Sequence, residues 1–183
     1  MPNRSEAVDC RAADRGHVLP DLLRHGLTLV FCGSAVGNES ARQGAYYAHP
    51  QNRFWATLHA CGFTRERLDP HDYPRLLEFG IGLTDLAKTE SGSDDQLSHD
   101  AYDPAALRAK ITRFSPGTLA FTAKTPARAF LGRSRVDYGL QPERIGSTRI
   151  FVLPSPSPRN QARWDEARWR ALARLTGFAG ARP

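Results

Sequence analysis

An α/β fold, with a small and mostly parallel central sheet between helical layers, is predicted by two features of the sequence. Short apolar runs alternate with amphipathic helical stretches, and each run gives way to a polar or proline-rich loop. The first strand is Leu27-Thr28-Leu29-Val30-Phe31, a buried-type run that ends at Gly33. Asn52 to Ala60 follows as a helix with Phe54, Trp55 and Leu58 on one face and Asn52 as its cap; Trp55 is a core residue. Ile81 to Leu86 reads as a second strand, and Pro104 to Phe114 as a helix opened by proline at a favoured first-turn position. Leu119-Ala120-Phe121 is the third strand, Thr125 to Leu131 a short helix, and Ile150-Phe151-Val152-Leu153 the fourth strand. Arg163 to Leu175, carrying Trp164, Trp169, Leu172 and Leu175, is the last helix.

In such sheets ligands bind beyond the carboxyl ends of the strands, so the functional loops are expected after Phe31, Leu86, Phe121 and Leu153. Glu90 to Asp100 is rich in Ser and Asp and reads as a mobile surface loop. The polar, aperiodic stretch 1–16 is expected to be flexible, 17–178 to form one domain, and 179–183 to be a tail. At 183 residues and 20.3 kDa there is room for one full hydrophobic core and not for two.

Composition excludes several function classes. No apolar run approaches the roughly 20 residues of a spanning helix, and the acid-bearing N-terminal stretch lacks an apolar signal core. The expected location is therefore cytoplasmic, at the nucleoid in a bacterial cell, without membrane contact. Cys10, Cys32 and Cys61 are odd in number, widely spaced and form no C-x-x-C pair, so reduced thiols, no metal and no cofactor are expected. Of 25 basic residues 22 are arginine, and the net charge is +6. That excess permits a polyanionic partner, although arginine also rises with genomic base composition. The distribution is sharper, because Arg159, Arg163, Arg168, Arg170, Arg174 and Arg182 face only Asp165 and Glu166 at the C-terminal end.

Three loops carry the chemistry. Gly33-Ser34-Ala35-Val36-Gly37-Asn38-Glu39-Ser40 leaves a strand with two glycines, so its backbone N–H groups can approach a ligand closely. It lacks the lysine of a P-loop and the third glycine of a dinucleotide fingerprint, and on motif grounds a plain tight turn is favoured over a ligand loop. Tyr46-Tyr47-Ala48-His49-Pro50-Gln51-Asn52-Arg53-Phe54-Trp55 sets two aromatics and a histidine before a helix, with His49 read as a structural histidine. Leu153-Pro154-Ser155-Pro156-Ser157-Pro158-Arg159 is stiffened by three prolines. Its serines can grip a phosphate and its arginine can enter a nucleic-acid groove; a proline-punctuated turn with a solvated arginine is the bland alternative.

Taken together, these motifs resemble the mismatch-specific uracil-DNA glycosylase and thymine-DNA glycosylase family. The likeness runs from Phe31-Cys32-Gly33 to Trp55, and includes Ala48-His49-Pro50-x-Asn52-Arg53-Phe54-Trp55. Val18 to Leu23, Gly82-Leu83-Thr84-Asp85-Leu86, Tyr138-Gly139-Leu140-Gln141-Pro142 and Leu153-Pro154-Ser155-x-Ser157-x-Arg159 agree in order, so the resemblance spans roughly Val18 to Leu175. It implies a three-layer α/β/α, uracil-DNA glycosylase-like fold. It also implies a monofunctional glycosylase that flips uracil or a mismatched pyrimidine out of DNA, hydrolyses the N-glycosidic bond and releases free uracil; a monomer is the default expectation. Gly33, Ser34, Ala35 and Asn52 would line the base site, Tyr47 would be the platform under the base, and Asp85 would face its polar edge. Ser155 and Ser157 would bind flanking phosphates, with Arg159 as the wedge filling the vacated stack.

One departure matters. The family normally has asparagine where this chain has Ala35, and that asparagine positions the attacking water. Three outcomes compete. Activity can persist because the transition state is oxocarbenium-like and the departing base can be held by oriented donors. Alternatively Asp85 or Glu39 substitutes as the catalytic carboxylate, Asp85 being favoured. Thirdly, the chain binds a flipped base or abasic site without cutting. A small-molecule α/β enzyme using the glycine loop for a nucleotide is a more distant reading.

Overall fold

A computed structural model describes residues 16–178; the expected flexible N-terminus, but for Gly16, and the tail lie outside the described residues. Five strands form one sheet in the order β2-β1-β3-β5-β4, with β1 Leu29–Gly33, β2 Ile81–Asp85, β3 Thr118–Phe121, β4 Gly139–Ile145 and β5 Thr148–Val152. β1, β2, β3 and β5 are parallel, and only the edge pair β4/β5 is antiparallel. All four strands expected from sequence are present. The fifth, β4, escapes the apolar-run criterion because its exposed residues Leu140, Pro142 and Arg144 alternate with the more buried Gln141, Glu143 and Ile145, so no continuous apolar run forms.

Alternate side chains of each central strand feed two cores. Leu29, Phe31, Leu83, Ala120 and Phe151 pack against α2 (Phe54–Ala60) and α5 (Glu166–Leu175) through Phe54, Trp55, Leu58, Trp169 and Leu172. Val30, Cys32, Leu119, Phe121, Ile150 and Val152 face α3 (Pro104–Phe114) and α4 (Lys124–Leu131) through Leu107, Ile111, Phe114, Ala127 and Phe130. The fold is therefore the three-layer α/β/α sandwich expected. Both buried indoles satisfy their N–H groups on loop carbonyls, Trp55 on Tyr46 and Trp169 on Pro154, so the core also pins the two loops that shape the site.

The helices start where local chemistry directs them. Asp103 accepts from the Ala106 N–H and Pro104 opens α3, while Asp165 accepts from the Ala167 N–H at the start of α5. α2 begins at Phe54, later than Asn52, because the Asn52 side chain accepts from the Phe54 N–H at 2.9 Å and caps from outside the helix. Three helical elements were not expected: a short helix α1, Asn38–Gln43, within the glycine loop, and two 3-10 helices, Pro70–Phe79 before β2 and Pro158–Arg163 after β5. Gly37 and Gly44 bracket α1, and its six residues fall below the length at which apolar periodicity can register.

Candidate active site

The loops beyond the carboxyl ends of the parallel strands enclose a cavity of about 640 Å³. Its wall takes Gly33 to Ser40 after β1, Asp85 at the end of β2, Thr122 and Thr125 after β3, and Ser155 to Asn160 after β5. Tyr47, His49 and Asn52 close one side. Every residue named from the motifs for catalysis, base binding or DNA contact lines this one cavity, whereas Arg163, Arg168, Arg170 and Arg174 of the basic C-terminal end do not. The loops are tied to each other, since the Arg53 N–H donates to the Pro156 carbonyl at 3.0 Å and buried Ser40 accepts from the Ala48 N–H at 2.9 Å.

Asp85 occupies the most constrained position. It is 4% exposed and its Oδ2 has no hydrogen-bond partner. Burial pushes its carboxyl up to about 6, against the pull of Lys88 and Lys110 and with Asp21 adding to the rise. A buried carboxylate oxygen without a hydrogen bond costs the fold stability, and such a group calls for an explanation. Glu39 presents the opposite case. Its carboxylate binds the Arg42 guanidinium and the Gln43 amide along its own helix, both at 2.5 Å. Those hydrogen bonds hold it down at about 2.

The half-buried Tyr47 ring stacks on Phe54 with centroids 3.9 Å apart and planes 16° from parallel, and its hydroxyl meets Thr122 Oγ1 at 3.3 Å. The residue sits at φ 53°, a left-handed conformation that a side chain adopts at some cost. Tyr47 is thus held in place by Phe54 below and Thr122 at its tip. His49 is exposed at the rim, where its Nδ1 accepts from the Gln51 N–H at 3.1 Å. Ala35 lines the cavity with a methyl group alone.

On the opposite rim, Ser155 Oγ accepts from the Ser157 N–H and Ser157 Oγ from the Arg159 N–H, at 3.2 and 3.3 Å, so each serine turns the backbone of the other motif residues. Arg159 extends to Asp95 at 3.0 Å, with both side chains about 70% exposed. Asp95 comes from the Ser/Asp-rich segment read as a surface loop. That segment lies against the glycine loop: Ser91 bridges to Val36, the Gly92 N–H donates to the Val36 carbonyl at 2.9 Å, and Asn38 reaches Gln96.

Sequence reasoning missed Thr122, Asp95 and the charged side chains behind Asp85. Lys88 Nζ lies 3.9 Å from Asp85 Oδ2 and 2.9 Å from Asp21 Oδ1, and Asp21 is also bound by Lys110 and by the Thr84 hydroxyl at 2.6 Å. The two lysines and the Thr84 hydroxyl overcome the effect of burial and keep Asp21 below the usual carboxylate range. The available signal was scarcity, since Lys88 and Lys110 are two of only three lysines in an arginine-rich chain.

Among the described residues no cluster of His, Cys, Asp and Glu is arranged to hold a metal ion, and no helix is long and apolar enough to cross a membrane. The solution NMR structure of a candidate uracil DNA glycosylase from Methanosarcina acetivorans matches with a TM-score of 0.60 at 20% identity, over 87% of this chain and 96% of that one, a likeness of fold. A sequence profile of the Uracil DNA glycosylase superfamily matches residues 20–176, a span that contains every cavity residue placed above, and the chain accordingly belongs to that superfamily.

Proposed function

We propose that the protein is a monomeric DNA glycosylase of the mismatch-specific type, which extrudes uracil from DNA and hydrolyses its N-glycosidic bond. The observation that carries this reading is the buried Asp85 carboxylate, whose Oδ2 accepts no hydrogen bond, at the inner wall of a cavity flanked by a fixed aromatic ring. A flipped pyrimidine needs a π surface, hydrogen-bonding groups at its edge and a wedge to replace it in the stack. Tyr47 supplies the first, with Phe54 behind it keeping the ring flat. Gly33 and Ser34 offer backbone groups at the cavity wall, beside Asn52.

Asp85 is the working carboxylate in preference to Glu39, whose oxygens are already occupied by Arg42 and Gln43. An ionised Asp85 accepts from the uracil N3–H. It faces an unprotonated lone pair at the same position of cytosine, so the normal base is repelled. Because the transition state is oxocarbenium-like, with the bonding pair leaving on uracil, the reaction needs no strong base to begin, and the loss of the water-positioning asparagine at Ala35 slows it without abolishing it; water then adds to the sugar cation and its proton goes to the uracil anion. Ser155 and Ser157 hold the flanking phosphates while Arg159 enters the gap, leaving Asp95 for the DNA.

The presence of Ala35 favours one second reading, a protein that binds a flipped base or abasic site and does not cut. End-labelled oligonucleotides carrying uracil opposite guanine, opposite adenine or in single strands decide between them. Strand scission after alkali, lost in Asp85→Ala and retained in Glu39→Ala, supports the glycosylase. Tight binding with no abasic product establishes the binder instead.

A further inference from the structure

Behind the cavity wall lies a charged group that the reaction as described does not use. Gly82 has no side chain, and a β-carbon there would sit 2.5 Å from the Leu22 carbonyl. This lets Leu22 pair with Leu83 in both directions, at 2.9 and 3.1 Å, which sets Asp21 beside Thr84. Asp21 then receives Lys88 and Thr84 on Oδ1 and Lys110, from α3, on Oδ2. Tyr46 donates its only hydroxyl proton to the Pro20 carbonyl at 3.0 Å, so its oxygen is left to accept from Lys88, at 3.1 Å. Lys88 is therefore fixed by two partners, and its side chain is only 9% exposed.

The distance from Lys88 to Asp85 decides the role. At 3.9 Å from Oδ2 the ammonium is close enough to interact electrostatically and too far to hydrogen-bond. Asp21 and Tyr46 hold it back, so Lys88 provides counter-charge without occupying the lone pairs that a base or water must use. We propose that Lys88 is a positioning residue that keeps the buried Asp85 carboxylate ionised and its acceptor face free, with Asp21 as the spacer that sets the gap. The role rests on Asp85 being the working carboxylate.

The other groups facing Asp85 agree with this assignment. Tyr47 and Tyr46, from the segment between α1 and α2, and Cys32, from β1, are pushed up by burial and stay neutral. Asp21 is the only other negative charge nearby and Lys110 the only further positive one among the groups that act on Asp85. Removing Lys88 leaves Asp85 with the more distant Lys110 and the repulsion of Asp21.

The test is a carboxyl carbon NMR titration of Asp85, assigned by its loss in Asp85→Asn, in parallel with the pH profile of single-turnover uracil excision. Lys88→Met should move the Asp85 midpoint up by about one unit or more, so that activity near pH 6.5 falls at least about threefold and returns toward wild type near pH 8.5. Lys110→Met should shift it less in the same direction, and Asp21→Asn should shift it downward. If Lys88→Met fails to fold, the opposed shifts of the other two variants carry the test. An unmoved midpoint, or equal losses at every pH, overturns the proposal. If the midpoints move as expected but no variant, wild type included, excises uracil at any pH, the glycosylase reading fails while the electrostatic coupling of Lys88 to Asp85 stands.

Discussion

Asp85 Oδ1 lies so close to the Gly33 backbone that a β-carbon on residue 33 would stand 2.6 Å from it, and 3.4 Å from the Tyr47 hydroxyl. β1 and β2 are in register at this point, with Gly33 opposite Asp85, so the glycine at the end of one strand makes room for the carboxylate at the end of the next. Gly33→Ala should therefore fold, since both residues are at strand ends, but should displace Asp85. We expect single-turnover excision to fall at least about tenfold, the scale of a misplacement that costs over 1 kcal/mol. A variant with a wild-type rate would mean that Asp85 tolerates displacement and does not act on substrate.

Asp85 also has a stability signature. Burial pushes its carboxyl up to about 6 in the fold, above the ordinary aspartate value of 3.8, so between those values the folded chain binds more protons than the unfolded one. The sign follows: stability falls as pH rises through this window, and the full penalty is present above about pH 6. Asp85→Asn removes the ionisable group, so the variant should be more stable than wild type at pH 8 by roughly 1–3 kcal/mol, with no gain below pH 4. Urea denaturation at the two pH values checks this. A variant less stable at pH 8 would show that the carboxylate is structural.

The same ionisation sets the pH dependence of the reaction. If ionised Asp85 is the working form, excision should decline as pH drops through about 6. The Glu39 carboxylate, held near 2 by Arg42 and Gln43, would give no such limb in this range. A rate that is flat from pH 5 to pH 8 in single-turnover conditions would remove Asp85 from the chemistry.

Much of this arrangement was legible in the sequence, and the reasons differ by element. The buried parallel strands announce themselves as apolar runs, and the functional loops follow from the rule that ligands sit at the carboxyl ends. The resemblance assigns the motif residues Tyr47, Asp85 and Ser155 to one site, and the pattern agrees because each lies at the end of, or one loop away from, a strand or helix that it reveals. β4 was hidden because an edge strand alternates, and α1 because six residues carry no period. Lys88, Asp21 and Lys110 gave no sign beyond the scarcity of lysine, and for a different reason. Their sequence positions lie far apart, and only the close approach of Leu22 to Gly82 brings them together.

Tyr47 allows its two contacts to be separated. Tyr47→Phe keeps the ring on Phe54 and loses the hydrogen bond to Thr122, so excision should stay within about threefold of wild type. Tyr47→Ala removes the platform. Base–aromatic stacking is worth roughly 1–3 kcal/mol, so binding of free uracil should weaken by about five- to 150-fold, read by calorimetry. Unchanged uracil affinity in Tyr47→Ala would assign the ring to the core alone.

The pair formed by Arg159 and Asp95 across the cavity mouth supplies the last prediction. Both side chains are about 70% exposed, so solvent and salt screen the attraction and the bond is easily exchanged for one to DNA. Asp95→Ala should leave thermal stability unchanged and strengthen binding to uracil-containing duplex, because the arginine no longer has to leave a partner. Arg159→Ala should weaken cleavage of duplex more than of single strands, since only a duplex leaves a gap to fill. Combining the two substitutions separates the effects: once Arg159 is absent, Asp95→Ala can help only by removing a negative charge from the path of the phosphates. A gain in the double variant equal to that in the single one would show that Asp95 acts by repelling DNA and does not restrain the wedge; a gain that vanishes would place the two residues in one device.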